Sequence, residues 1–319
     1  MAASNSAEPE IVFDDATREE SIRLIDLALT EDLGSAKPGE QLDVTTESVV
    51  PDNVRGAATF ESRKHGIVCG VAVSELVIQR VNRDLTLEII RRDGDPIQPG
   101  DAIAVLTGNA QDILIAERTC LNFMGRLSGI STLTGQFAKQ VAGTKARVLD
   151  TRKTAPGWRR LEKYAVHCGG GTNHRMGLFD AVLIKDNHLA MMDSLTDQPM
   201  GEISIAVESS RKWIAENANR LPNGNDTIIQ IEVDRLDQFE KALACPVDII
   251  LLDNMTNEQL KNAVAIRDKV NKKILLEASG GVNLETIGNI AKTGVDRISV
   301  GALTHSSVNL DIGLDWKIG

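Results

Sequence analysis

The pattern of apolar and polar positions changes character midway along the chain. Residues 17–30, TREESIRLIDLALT, set Ile22, Leu24, Ile25, Leu27, Ala28 and Leu29 at helical spacing ahead of Gly34, which predicts a helix. Residues 54–110 alternate short β-like runs (GAATFES, GIVCGVAV, LTLEIIRRDGD, AIAVLTG) with turns, and a helix at about 72–82 interrupts them. Residues 112–142 repeat Leu121, Met124, Leu127, Ile130, Leu133, Phe137 and Val141 every three to four positions, as one or two helices would. Arg118, Asn122 and Arg126 share another stripe of that segment, either a solvated face or a functional one. From 146 onward six apolar runs recur between helical or loop segments: ARVLDTR, AVLIKDN, IIQIEVD, DIILLDN, ILLEASGG and DRISVGAL. Strands alternating with helices predict βαβ units and a parallel sheet, closed or nearly closed as a barrel. Thr256 with Gln259 forms a capping box ahead of one helix, and Asn283 and Gly294 bracket the next.

Most of these runs end in polar residues or glycine. The ends are Asp150-Thr151-Arg152, Lys185-Asp186-Asn187, Glu232, Asp253-Asn254, Glu277 with Ser279-Gly280-Gly281, and Gly301. In parallel β/α folds the active site lies at the C-terminal strand ends. One charged strand end is ordinary, but five or six together predict a site.

Composition narrows its chemistry. The chain has 319 residues with 45 Asp and Glu against 35 Lys and Arg, a net charge of −10. Yet Arg152, Lys153, Arg159, Arg160, Lys163, Arg175 and Lys185 crowd into residues 146–189, with His167, His174 and His188 among them. A basic segment in an acidic protein points to a small polyanion rather than a long nucleic acid. With six Phe, three Trp and one Tyr, the chain lacks the stacking platforms of a single-strand groove. Arg160, Glu162 and Lys163 are expected to be helix-surface charges in i,i+4 pairs, whereas Arg152, Lys153 and Lys185 close apolar strands and need another reason.

The four cysteines have no zinc spacing and are expected to be structural thiols in a reducing compartment. The acidic first twenty residues have neither an apolar h-region nor an Arg-rich pattern. Either the protein is cytoplasmic or a targeting peptide is missing from this sequence. No apolar run reaches the ~20 residues of a membrane helix.

Three kinds of group converge at the strand ends. Arg152, Lys153, Arg175 and Lys185 are cations suited to carboxylate or phosphate. Glu232 and Asp253, on neighbouring strands, are acids that suit magnesium completed by phosphate oxygens. Ser279-Gly280-Gly281 and Val300-Gly301-Ala302, on the last two strands, can cradle a phosphate with backbone N–H groups. The Gly169–Gly171 triplet is either a helix stop or a close backbone approach beside the polar cluster that contains His174. No Ser/His/Asp set, HExxH or GxxxxGK[ST] is present, so binding of several anionic groups with a metal is expected, as in transfer of a phosphorylated sugar.

The motifs AERTCLNFMGRLSGISTLT, DTRKTAPGWRRLEKYAV, GGGTNHRMGLFDAVLIKDNH, IILLDN, EASGGV and SVGALTHS closely resemble quinolinate phosphoribosyltransferase, from EDLG at 31 to the C-terminus. The resemblance implies an N-terminal α/β sandwich (17–117, joined by 306–319) after a flexible tail (1–16). An incomplete α/β barrel of six to seven parallel strands (118–305) would follow. It implies condensation of quinolinate with phosphoribosyl pyrophosphate to nicotinate mononucleotide, pyrophosphate and CO2, with magnesium. It implies that Arg118, Thr151, Arg152, His174 and Arg175 bind quinolinate, with Arg118 reaching into a neighbouring subunit of a dimer or hexamer. Lys153 and Lys185 would face the reacting centre and pyrophosphate. Glu232 and Asp253 would hold magnesium and the ribose, and Ser279, Gly280, Gly281, Gly301 and His305 the 5-phosphate. Partners of nucleic-acid or membrane type are not expected. Trp158 stands where the family often has Leu, residues 34–43 form a longer link than the family's usual one, and residues 191–204 and 216–227 look like loop insertions. The alternatives are a sister enzyme for another aromatic acid and a non-catalytic anion sensor or nucleic-acid binder.

Overall fold

The computed structural model describes residues 12–37, 40–194 and 202–316. Residues 1–11 of the expected tail, and 195–201 of one expected insertion, lie outside the described residues. In chain order the elements are α1 (Asp15–Leu33), α2 (Val44–Val49), β1 (Arg55–Ser62), β2 (Gly66–Ile67), α3 (Val71–Val81), β3 (Thr86–Ile89), β4 (Pro96–Ile97), β5 (Ala102–Asn109) and α4 (Ala110–Val141). Then come β6 (Arg147–Leu149), α5 (Arg159–Cys168), β7 (Val182–Ile184), α6 (Asp186–Ser194), α7 (Ile203–Asn217), β8 (Ile229–Val233) and α8 (Leu236–Leu243). The last are β9 (Ile249–Asp253), α9 (Asn257–Val270), β10 (Leu275–Ser279), α10 (Ile287–Ala291), β11 (Arg297–Ser299), α11 (Ala302–His305) and β12 (Ile312–Trp316). The chain forms two compact units. The α/β sandwich unit comprises the described residues through Gly135, with Thr154–Gly171 and Leu303 onward. The barrel unit comprises Gln136–Lys153 and Thr172–Ala302.

The sandwich unit is built on a sheet in the order β12-β1-β5-β3, with every pair antiparallel. β12 pairs with β1 from Ala58↔Trp316 to Ser62↔Ile312. Gly56 makes this possible, because a Cβ there would meet the Trp316 ring at 2.5 Å. On α1 the buried stripe is narrower than its apolar residues suggest: Thr17, Ser21, Ile25 and Leu29 are buried, while Leu27 is 65% exposed. Asp14 caps this helix through Thr17 N–H, and Gly34 ends it at φ 74°. The segment 112–142 forms one helix, α4, not two. Gly169 packs the end of α5 onto α4, since a Cβ there would lie 2.4 Å from Ser131 O. Gly170 then turns the chain at φ 82°. The glycine triplet is therefore a helix stop combined with close helix packing. Trp158 stacks on Phe123 at 4.9 Å.

One expectation fails in α5. Glu162 and Lys163 are not surface charges; both are fully buried. The Glu162 carboxylate accepts from the Arg126 guanidinium at 2.6 Å and from Ala155 N–H at 3.3 Å. Arg126 also donates to Ser307 Oγ and Thr304 O. Its partners are far away in sequence, so i,i+4 spacing was the wrong place to look. Arg160 pairs with Asp14 rather than along its own helix.

The barrel unit is a parallel sheet in the order β6-β11-β10-β9-β8-β7. Its strands include continuous β-branched and leucine runs such as IILL and VLI, as buried parallel strands require. Thr172 adds one parallel bridge to Leu149 at the β6 edge, held by Thr172 N–H to Val148 O at 2.8 Å. Cross-strand partners share a face. The register Glu232↔Leu251↔Glu277↔Arg297 makes one row, and Asp253↔Ser279 lies one step nearer the C-terminal ends on that face. The charged residues that interrupt apolar strands therefore converge on one side of the sheet.

Candidate active site

Two strand ends and the loop between them bring cations into the barrel unit. After β6 the chain reaches Thr151, Arg152 and Lys153, where Lys153 N–H donates to Thr151 Oγ1 at 3.1 Å. The neighbouring segment is stitched to the same strand end by Asp150, which is fully buried. Asp150 accepts from Asn173 Nδ2 at 2.7 Å and from His174 N–H at 2.8 Å. His174 and Arg175 are thereby fixed beside β6. Arg175 Nη1 donates to Ala181 O at 2.8 Å.

The Nε atoms of Arg152 and Arg175 are both buried and have no hydrogen-bond partner among the described residues. Burial, and then the positive charge of Arg152, depress the Arg175 guanidinium below its ordinary range. Two half-buried guanidiniums that disfavour each other, each with an unsatisfied donor, form a site short of negative charge. A dicarboxylate supplies both the charge and the acceptors.

The next strand ends carry the acids. Lys185, after β7, forms an ion pair with Glu232 of β8. Asp253 ends β9, and its Oδ2 accepts from Asn254 Nδ2 at 2.7 Å. Among the described residues no group of three or more His, Cys, Asp or Glu is placed to hold a metal ion. Glu232 and Asp253 share a face one step apart, and neither is clamped by an arginine. This set suits magnesium only if substrate oxygens complete the coordination sphere.

At the end of β10, Gly280 has φ 96° and Gly281 φ 58°. A Cβ on Gly280 would lie 2.1 Å from Asn254 Oδ1, so glycine is required there. Asn254 is itself left-handed at φ 54°, and its N–H donates to Ser279 O at 2.9 Å. The ends of β9 and β10 thus form one tight turn pair around Ser279. Gly301 follows β11, whose end is tied to β6 by Val300 N–H to Leu149 O at 2.8 Å.

Two expected residues belong to the sandwich unit. Arg118 is exposed on α4, and His305 is exposed at the end of α11 with Nδ1 2.7 Å from Ser306 Oγ.

Several residues at this centre have roles the sequence does not announce: Asp150 and Glu277 are read there only as polar strand ends, and Asn173, Arg297 and Ser299 are not singled out. Asp150 and Asn173 are short polar residues whose partners lie 23 and 24 positions away. Arg297 and Ser299 hold the buried Glu277, the first through Nε to Oε2 at 2.8 Å and the second through its hydroxyl to Oε1. The available signal was a charge inside an apolar strand, as in ILLEAS and DRISV. Burial opposes ionisation of Glu277. His174, Arg297 and Ser299 outweigh it and hold the carboxyl well below the usual range.

Known proteins match the chain over nearly its whole length. The family model described as quinolinate phosphoribosyl transferase, C-terminal domain, matches residues 130–315, and the corresponding N-terminal domain matches 43–128. The chain belongs to the quinolinate phosphoribosyl transferase family. A relative from Mycobacterium leprae, named nicotinate-nucleotide pyrophosphorylase [carboxylating], is 41% identical over 276 residues, 86% of this chain and 91% of its own. One from Nicotiana tabacum, named quinolinate phosphoribosyltransferase [decarboxylating] 1b, is 37% identical over 98% of this chain and 87% of its own. Among solved structures, the nicotinate-nucleotide pyrophosphorylase from Francisella tularensis superposes with a TM-score of 0.82 at 35% identity, covering 94% of this chain and 96% of that one. The one from Ehrlichia chaffeensis gives 0.80 at 39%, covering 92% and 98%. The quinolinate phosphoribosyl transferase fold is thus shared throughout, sandwich and incomplete barrel together. No helix among the described residues is long and apolar enough to cross a membrane.

Proposed function

We propose that the chain transfers the phosphoribosyl group of phosphoribosyl pyrophosphate to quinolinate, releasing pyrophosphate and CO2 and forming nicotinate mononucleotide for NAD synthesis. The observation that carries this reading is the pair of buried, unpartnered Nε donors on Arg152 and Arg175. Quinolinate has two adjacent carboxylates, and two planar forks match them. Thr151 borders that pair. A monocarboxylate would leave one guanidinium unmatched.

Quinolinate bound there offers its ring nitrogen to the ribose. The C1′–O bond to pyrophosphate breaks, and the leaving group takes the electron pair. Lys153 and Lys185 offset that growing negative charge. Glu232 and Asp253 stand on the ribose side, where carboxylates stabilise an oxocarbenium-like carbon. The nitrogen lone pair then forms the new C–N bond. The pyridinium so formed accepts the electron pair when the C2–carboxylate bond breaks, and C2 takes up a proton after CO2 leaves. The residues supply orientation and charge, not a nucleophile. Glu232 and Asp253 are the residues that would hold magnesium, which when bound neutralises pyrophosphate charge. The turn pair around Ser279, Gly280 and Gly281, with Gly301, takes the 5-phosphate on backbone N–H groups.

The deciding experiment is turnover with quinolinate against nicotinate, measuring released CO2. We expect CO2 only with quinolinate. Activity on nicotinate alone would replace this reading with that of a sister enzyme.

Arg118, exposed on α4, is assigned to the site of a neighbouring copy in a homo-oligomer, a dimer or a hexamer built from dimers. Mixed dimers of Arg118→Ala and Arg152→Ala should recover part of the activity, since one of their sites keeps both arginines. Exchanged dimers that stay inactive would count against sharing. The four cysteines are free. This fits a reducing compartment, which we take to be the cytoplasm. Some relatives from Nicotiana tabacum and Arabidopsis thaliana are named mitochondrial and chloroplastic, so imaging the tagged chain in its own cells tests this placement.

A further inference from the structure

Asn254 stands where the chain otherwise uses glycine. Among the described residues it alone combines a side chain with a positive φ, 54°, and every other such position is glycine. A left-handed backbone disfavours a side chain, and Asn tolerates it because its short amide can bond locally. A turn that needed only that backbone would be served by glycine with less strain. The amide kept at this position therefore has a task of its own.

Its contacts define that task. Asn254 follows Asp253, the last residue of β9, and its Nδ2 donates to Asp253 Oδ2 at 2.7 Å. A carboxylate only accepts, so the amide nitrogen faces Asp253 and the amide oxygen faces away from it. That oxygen lies over Gly280, where an added Cβ would stand 2.1 Å from Oδ1 and 2.8 Å from the Asn254 backbone nitrogen. The same backbone N–H donates to Ser279 O at 2.9 Å. Asp253 and Ser279 are themselves register partners. One side chain thus lies between an acid at the end of β9 and the glycine turn at the end of β10. The Nδ2 hydrogen bond is exposed, but the left-handed backbone and the close Gly280 contact leave the amide little room to turn away from it. With Oδ2 held, Asp253 presents Oδ1 to a ligand.

We propose that Asn254 is a positioning residue that ties the acid facing the ribose to the turn that takes the 5-phosphate. Its side chain orients the Asp253 carboxylate, and its backbone holds the Ser279–Gly280 turn at a fixed distance from that carboxylate. The two ends of a ribose phosphate are then read at one spacing. This inference rests on the phosphoribosyl transfer proposed above.

The test titrates the full chain by calorimetry, in magnesium buffer with excess pyrophosphate to occupy the Lys153 and Lys185 side. The probes are ribose 5-phosphate, which has both ends, and propyl phosphate, which has only the phosphate. Asn254→Gly keeps the left-handed backbone and removes the amide. Its Kd for ribose 5-phosphate should rise roughly tenfold, as loss of a hydrogen bond to a charged group does, while its Kd for propyl phosphate stays unchanged. Parent-like binding of both probes, or an equal loss for both, would overturn the proposal. Asn254→Ala also strains the turn and should weaken both probes. Unchanged binding of propyl phosphate by Asn254→Ala would show that the backbone does not set the phosphate turn, and would overturn the proposal as well. If Asn254→Ala does not fold, Asn254→Gly decides alone. A parent chain that binds neither probe would sink the phosphoribosyl reading and this inference with it, whereas parent-like binding by Asn254→Gly sinks the inference only.

Discussion

The two ends of the parallel sheet handle buried charge in opposite ways. At the N-terminal end, Arg267 is 2% exposed and held by three acceptors. Its Nε meets Asp268 at 2.6 Å, and its Nη1 meets Ile274 O at 2.7 Å and Asp296 at 2.8 Å. Asp296 also accepts from Leu276 N–H at 2.8 Å and from Lys145 at 2.6 Å. At the C-terminal end, Arg152 and Arg175 each keep a buried donor without a partner. One end spends its charges on the fold. The other leaves them for a ligand. The comparison teaches that matched buried charge marks architecture and unmatched buried charge marks binding.

Four substitutions can break or sharpen that contrast. The largest effect is expected from Arg267→Ala, which removes a buried guanidinium together with its ion pair to the part-buried Asp296 and should cost roughly 3–5 kcal/mol of stability. Urea unfolding measures it, and the KM for quinolinate of the folded fraction should not move. Next is Arg175→Ala. It should lower kcat/KM for quinolinate by ~2–5 kcal/mol of lost binding, or roughly 30- to several-thousand-fold, with little change in Tm. A Tm loss matching that of Arg267→Ala would erase the distinction between the two ends.

The third concerns acid. Burial opposes ionisation of Asp296, but the Leu276 amide, Lys145 and Arg267 hold its carboxyl below the ordinary value. Because the folded pKa is depressed, the stabilisation is fully present above the unfolded value of about 4 and fades as pH falls through the folded value. Asp296→Asn should therefore be less stable at neutral pH and show a shallower loss below about pH 4. Parallel acid limbs for variant and parent would contradict it. The smallest effect is expected at Thr256, which caps α9 with Gln259 just beyond the Asp253 strand end. Thr256→Ala should cost about 1 kcal/mol of stability and leave kcat unchanged. A larger loss of activity than of stability would mean that nearness to the strand ends, not unmatched charge, governs function.

Much of this was legible in the sequence because parallel strands write their burial as continuous apolar runs. The six runs from ARVL to DRISV gave the six strands, and their polar ends gave the cations and acids of the site. What stayed hidden depends on pairings across long separations. Glu162 and Lys163 look like helix-surface charges because the partner of Glu162, Arg126, lies on another helix 36 positions earlier. Asp150 and Asn173 are too short and too common in loops to announce a buried hydrogen bond.

The last described strand sets a clock on synthesis. β1 is complete at Ser62, yet its partner β12 ends at Trp316, so some 250 residues must be made between the two edges of one hydrogen-bonded pair. At ordinary translation speeds β1 waits roughly 13–50 seconds with that edge open. An open edge invites pairing with another chain. The nascent protein passes through an interval in which a chaperone, or crowding by its own copies, decides whether β1 meets the right strand.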